Sequence, residues 1–262
     1  MSNEIQIGRF RDTPIIADSS VIVIGLILVL FAYDSAESYP ITKGQALATA
    51  VVSVLMMFGS IILHEIGHVA VARMWGVRSR EIRLHILGGW AQLNSPPPNA
   101  ISNIAISAAG PAMNIALWFG LTTLGLGSYS NISSDQQLNV LELALYFVTS
   151  WNLVIGILNL LPMLPLDGGS VLEGLLSIVF RRADFAEIWA ARITIVVFGL
   201  VAAASFSAGH IFTLFIIGMF VLPYAWPRAK GKISRRPRMQ LISSKLKKAE
   251  PLKVVPELEV WS

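Results

Sequence analysis

No cysteine occurs anywhere in the 262 residues. That absence excludes disulfides and thiolate ligands, so a transition metal could be held here only by imidazole and carboxylate groups. It also removes the usual clue to redox compartment. Charge is scarce too: 14% of the residues are Asp, Glu, Lys or Arg, against 54% that are hydrophobic. With a mean hydropathy of +0.64, this balance excludes an ordinary soluble domain and indicates a multi-span membrane protein without a large soluble part. The first apolar segment, Val21 to Tyr33, is followed by Asp34-Ser35-Ala36, an acid where a signal peptidase needs a small residue. We therefore expect an uncleaved span.

Against this background one stretch is in the wrong place for an inert span. His64-Glu65-Ile66-Gly67-His68 lies inside the apolar run from Ala46 to Ala72. Ionisable residues within a span are costly and by default functional. On a helix His64 and His68 are one turn apart on one face, so both imidazoles can reach one ion. Glu65 is then free to act on a water, which is the physical content of the His-Glu-x-x-His motif of zinc hydrolases.

The rest of the chain reads as follows. Ile5 to Arg11 alternates apolar and polar residues, as a short surface strand does. Spans are expected at Val21 to Tyr33, Ala46 to Arg73, Ile101 to Leu126 and Val140 to Leu164, with span cores at Ile193 to Ala204 and Ile211 to Leu222. Between the second and third spans, Glu81 to Leu87 and Trp90 to Leu93 predict two short strands joined by a Gly88-Gly89 turn, before the breaker Pro96-Pro97-Pro98. The fold class expected is thus an all-α polytopic membrane protein of about six transmembrane helices with a small membrane-associated β-sheet. Residues 1–226 form the membrane domain and 227–262 a basic tail.

A third metal ligand should come from another span. Asp167 is the best candidate, in Asn159-Leu160-Leu161-Pro162-Met163-Leu164-Pro165-Leu166-Asp167-Gly168-Gly169. Two prolines remove backbone donors and kink the helix, and such backbone is tolerated at membrane depth where it lines a cavity. Two His and one carboxylate leave the fourth zinc position open, as in catalytic rather than structural sites. Asn159 could donate a hydrogen bond to the oxyanion of an attacked peptide carbonyl. Plainer readings exist: Asp167 as a cap for a helix from Val171 to Phe180, Asn159 as a partner for backbone freed at the kink, and Gly110, Pro111 and Asn114 as helix-packing residues. His85 and His210 lack partner motifs and read as interfacial, as do Trp75, Trp90 and Trp226.

With these residues in hand, the chain resembles the site-2 protease family, intramembrane zinc metalloproteases. The resemblance is carried by His64 to His68, by Gly110-Pro111-Ala112-Met113-Asn114 and by Asn159 to Gly169, in that order. It implies one zinc bound by His64, His68 and Asp167, Glu65 as base and Asn159 near the reacting carbonyl. It also implies regulated cleavage of a single-span membrane protein, often after an upstream protease has trimmed it. The Gly88-Gly89 region resembles the family's sheet, whose edge could take an unwound substrate by strand addition. Many relatives carry a PDZ insertion or paired CBS domains, which do not fit in this length, so control would fall to the substrate, to partners or to the tail.

Charge supplies an orientation. With six spans both termini share a side, and that side holds 19 of the 20 Lys and Arg residues, all but Lys43. The positive-inside rule makes it cytoplasmic, in a multi-pass protein of the cell membrane. His64 then lies about 14 Å along the helix from Arg73, below the surface on the cytoplasmic side. The tail from Pro227 carries Arg228, Lys230, Lys232, Arg235, Arg236, Arg238, Lys245, Lys247 and Lys248 before its first acid, Glu250, and suits anionic lipid. No recognised fold for nucleic acid accompanies it. A metal transporter would also place His and carboxylate in spans, but neither a second polar path nor an internal repeat is visible. A non-catalytic scaffold would not need Glu65. Oligomeric state leaves no trace in the sequence.

Overall fold

The computed structural model of the protein describes residues 4–86, 88–127, 139–207 and 211–231. In chain order these form β1 (Glu4–Phe10), β2 (Thr13–Asp18), α1 (Ser20–Glu37), α2 (Lys43–Met74), β3 (Ser79–His85), β4 (Gly88–Leu93), α3 (Ala100–Thr123), α4 (Val140–Asn159), α5 (Asp167–Phe180), α6 (Ala183–Ser207) and α7 (Ile211–Ala229). Among the described residues, α1 to α4 and α6 are each long and apolar enough to cross a membrane. Helix α7, 19 residues long, takes the place of the expected sixth span. The chain is a multi-pass membrane protein.

Polar side chains set where the spans begin. Thr42 and Gln45 form a capping box for α2, with Gln45 N donating to Thr42 Oγ1 at 3.3 Å and Thr42 N to Gln45 Oε1 at 2.9 Å. Asn99 and Ser102 do the same for α3, directly after the three prolines. Asp18 opens α1 by accepting from Ser20 N at 2.8 Å, and this bond holds its carboxyl below the usual range. Helix α1 buries only Ala36, and its Ile22, Leu26, Leu30 and Phe31 face outward, as suits a span bathed in lipid. The 32 residues of α2 extend about 48 Å, well beyond a ~30 Å hydrocarbon layer, so its C-terminal turns stand clear to meet the sheet.

The sheet has the order β1-β2-β3-β4, antiparallel between β1 and β2 and between β3 and β4, parallel between β2 and β3. Strand β2 is an addition to the sequence reading, which assigned no element to Thr13 to Asp18. Pro14 argues against a strand in an isolated sequence, yet it is tolerated opposite Arg9. The glycines expected to form the β3–β4 turn instead open β4, with Gly88 at φ 116°, and pair with His85 and Leu84. Ile15, Val69 and Ile82 make one buried cluster with Phe10, Ile62, Ile66 and Ala91 around it, so the sheet packs on the same helix that carries the His-Glu motif. Arg73 adds an ion pair to Asp12 and a 2.8 Å bond to Thr13 Oγ1, which tie the end of α2 to the β1–β2 turn. That guanidinium holds the Asp12 carboxyl below its usual range.

The fourth span also differs from expectation. Helix α4 stops at Asn159 rather than kinking through to Leu164, and the two prolines sit in irregular backbone before α5. Leu87, His210 and all of the tail beyond Gly231 lie outside the described residues, so the surface-lipid reading of the tail has only Arg228 and Lys230 on view. Lys230 lies over the Trp226 ring at 4.6 Å, an interfacial pairing of the kind expected for that Trp.

Candidate metal centre

Two helices deliver the donors. His64 and His68 are buried on α2, and Asp167 is the first residue of α5. Their donor atoms lie within 4.8 Å of one another. His64 Nε2 is 3.1 Å from Asp167 Oδ2, His68 Nε2 is 3.4 Å from Asp167 Oδ1, and the two Nε2 atoms are 3.2 Å apart. Two imidazole nitrogens and a carboxylate converging from three sides suit a small divalent cation better than they suit one another.

Both imidazoles are held so that Nε2 points inward. His68 Nδ1 donates to the main-chain carbonyl of Ile106 on α3 at 2.6 Å, and His64 Nδ1 bonds Oδ1 of Asn114, also on α3. Partners of this kind fix the tautomer and orientation of metal-binding histidines. Asn114, read from sequence as a packing residue, thus touches the centre directly. Gly110 does so by having no side chain: a Cβ there would overlap Nε2 of both His64 and His68. Gly67 lets α2 approach α3, since a Cβ would come within 2.8 Å of the Ala109 carbonyl oxygen.

Asp167 is placed by the irregular segment before it. Leu164 N donates to Thr194 Oγ1 on α6 at 2.9 Å, and Thr194 Oγ1 in turn donates to Ala190 O at 2.8 Å. Asn103 Nδ2 on α3 holds Ser170 O at 2.9 Å. Gly168 and Gly169 pack against the backbone of Leu160, Leu161 and Met163, with no room for a Cβ. The isosteric change Thr194→Val would orphan the buried Leu164 amide. It is expected to destabilise the protein by about 1–3 kcal/mol, seen as a lower thermal midpoint in detergent. An unchanged midpoint would show that the anchor is dispensable.

Glu65 is buried next to the donor cluster but outside it, facing β4. Its carboxylate accepts from the main chain of Ala91, and a Cβ on Gly89 would lie 2.7 Å from its Oε1. The edge strand of the sheet therefore runs past the carboxylate. Asn159 closes α4, half-buried, and its side chain makes no hydrogen bond among the described residues. His85 is half-buried on β3, where desolvation lowers its pKa, and it does not join the cluster.

Relatives supply an independent line. The family model "Peptidase family M50" matches residues 52–134 and 128–203, a span that holds every residue of the cluster. "Putative zinc metalloprotease sll0528" of Synechocystis sp. is 28% identical over 239 residues, 88% of this chain and 61% of that protein. "Zinc metalloprotease MJ0392" of Methanocaldococcus jannaschii is 33% identical over 123 residues, 47% of this chain and 34% of its own. The chain thus spans about three fifths of the length of the Synechocystis relative. Among solved structures, "Site-2 Protease from Methanocaldococcus jannaschii" superposes with a TM-score of 0.57 at 22% identity, over 95% of this chain and 99% of that one. That likeness establishes the fold: a bundle of membrane helices beside a small sheet. With the matched segment covering more than half of the chain and enclosing both the His-Glu motif and Asp167, the protein belongs to peptidase family M50.

Proposed function

We propose that the protein is an intramembrane zinc endopeptidase that hydrolyses peptide bonds in or near the transmembrane segment of a single-span membrane protein. The observation that carries this reading is the position of Glu65, between a three-donor cluster and the free edge of β4. His64, His68 and Asp167 would hold the ion, and Gly110 leaves space for it at both Nε2 atoms. Zinc bound by such a set supplies a Lewis acid for the scissile carbonyl and brings the pKa of water toward about 7.

The chain's own residues supply the rest. Substrate that has lost its helix pairs along β4, where main-chain groups take over the bonds its backbone needs inside the membrane. Glu65 removes a proton from the attacking water as the new C–O bond forms, then returns it to the amine nitrogen as the C–N bond breaks. Asn159, whose amide has no hydrogen-bond partner among the described residues, is the candidate donor to the carbonyl oxygen while that oxygen carries charge. Both termini and the site lie on the cytoplasmic side of the cell membrane, where the basic residues gather. Cleavage is regulated by an upstream protease that trims the substrate, and the tail from Pro227 rests on anionic lipid.

The first experiment is zinc per chain in purified protein, together with cleavage of a model span that carries a helix-breaking residue. Wild type is expected to hold about one zinc and to cut, whereas His68→Ala and Asp167→Ala are expected to lose most of the metal. A folded wild type that takes no zinc after reconstitution overturns the proposal in favour of a scaffold. Zinc flux into proteoliposomes without cleavage would favour a transporter.

A further inference from the structure

Behind His64 a buried line of hydrogen bonds continues past Asn114 to α4. We propose that Asn152 is a positioning residue for the metal centre: acting through Asn114, it decides which nitrogen of His64 is left to bind the ion. The proposal rests on the reading of His64 as a metal ligand, and deepens it.

Hydrogen-bond polarity runs one way along this line. Main-chain carbonyls only accept. The Ser60 hydroxyl donates to Met56 O at 3.2 Å, which leaves its oxygen to accept from Asn152 Nδ2 at 2.9 Å. The same Nδ2 gives its second hydrogen to Val148 O at 2.8 Å. Both hydrogens are spent, and turning the amide over would set Oδ1 against the Val148 carbonyl. Asn152 Oδ1 must therefore face Asn114, where it accepts from Nδ2 at 2.8 Å. That bond turns Asn114 Oδ1 toward His64 Nδ1, so the imidazole proton sits on Nδ1 and the Nε2 lone pair faces Asp167 and His68.

His68 needs no such support, because its Nδ1 partner is a main-chain carbonyl that cannot be reversed. An asparagine amide can be, since its oxygen and nitrogen ends have nearly the same shape. A reversed Asn114 would donate to His64 Nδ1, drive the proton to Nε2 and block the metal. Asn114 and Asn152 are 0% and 1% exposed, so no solvent restores the pattern from outside. Asn152 lies 38 positions from Asn114 and 92 from Ser60 in the chain, and the line joins α2, α3 and α4.

Two measurements on the full-length protein in detergent test this. Zinc affinity by chelator competition is expected to fall about 10- to 100-fold in Asn152→Leu, the range typical of outer-shell changes. In Asn152→Asp it should stay near wild type, because a neutral carboxylic acid in this dry site donates to Val148 O and accepts from Asn114. Wild-type affinity in the Leu variant, or equal loss in both folded variants, overturns the proposal. Histidine 15N shifts of the metal-free wild type need no substitution and guard against a Leu variant that fails to fold. They should report His64 protonated at Nδ1, and an Nε2–H tautomer overturns the proposal. Absence of zinc binding by wild type would instead sink the metalloprotease reading, while the tautomer result would stand on its own.

Discussion

Glu65→Gln is expected to lower peptide cleavage by about 10²- to 10⁴-fold, the range for loss of a general base, while zinc content stays at the wild-type level. The two readouts separate because Glu65 is adjacent to the donor cluster but not a member of it. Glutamine keeps the shape and can still accept from the Ala91 main chain, so the local packing has no reason to change. Only the ability to take up a proton is lost. The check is metal analysis and span cleavage on the same preparation. Persistent cleavage would remove Glu65 from the chemistry, and loss of zinc would make it part of the metal site.

Gly110→Ala should be as damaging through the opposite route, by adding one carbon rather than removing a function. Its Cβ would overlap Nε2 of both histidines, the atoms that must face the ion. Relief would require α3 to back away from α2, yet the Ile106 carbonyl and Asn114 that orient those rings lie on the same helix. We expect the zinc affinity to fall by at least the about 10- to 100-fold typical of outer-shell damage, with the overpacking itself costing about 1–3 kcal/mol of stability. Chelator competition beside a thermal melt checks both. Stoichiometric, tightly bound zinc in this variant would mean that the ion does not sit where the two Nε2 atoms point.

These two residues mark where reading the sequence worked and where it stopped. His64, Glu65 and His68 are legible because one helical turn fixes their relation, and the cost of ionisable groups in an apolar run makes them conspicuous. Asp167 is legible from its proline and glycine neighbours. Gly110, Asn114, Asn152 and Thr194 are not, since a glycine or a lone polar residue in a span reads equally well as helix packing. Their meaning depends on which residue on another helix they meet, and Asn114 meets His64 from 50 positions away. The first three spans and the β3–β4 pair match to within a few residues, whereas α4 ends at Asn159, short of Leu164, and α6 begins at Ala183, well before the expected core at Ile193. Strand β2 was not legible, because its pairing with β3 is parallel and made across two intervening helices, whose distance in sequence no local pattern records.

The separation of the donors also orders events during synthesis. The two histidines enter the bilayer together on α2, but Asp167 follows Asp-to-His contact partner His64 by 103 positions, after α3 and α4 have been made. Strands β1 and β2 likewise precede β3, with Thr13 and Ser79 66 positions apart. A nascent chain therefore carries an incomplete ligand set until α5 has been made, although its last strand is complete by Leu93. On the proposed function, the ligand set closes only once α5 has docked, so a chain still being made would be latent as a consequence of chain order alone.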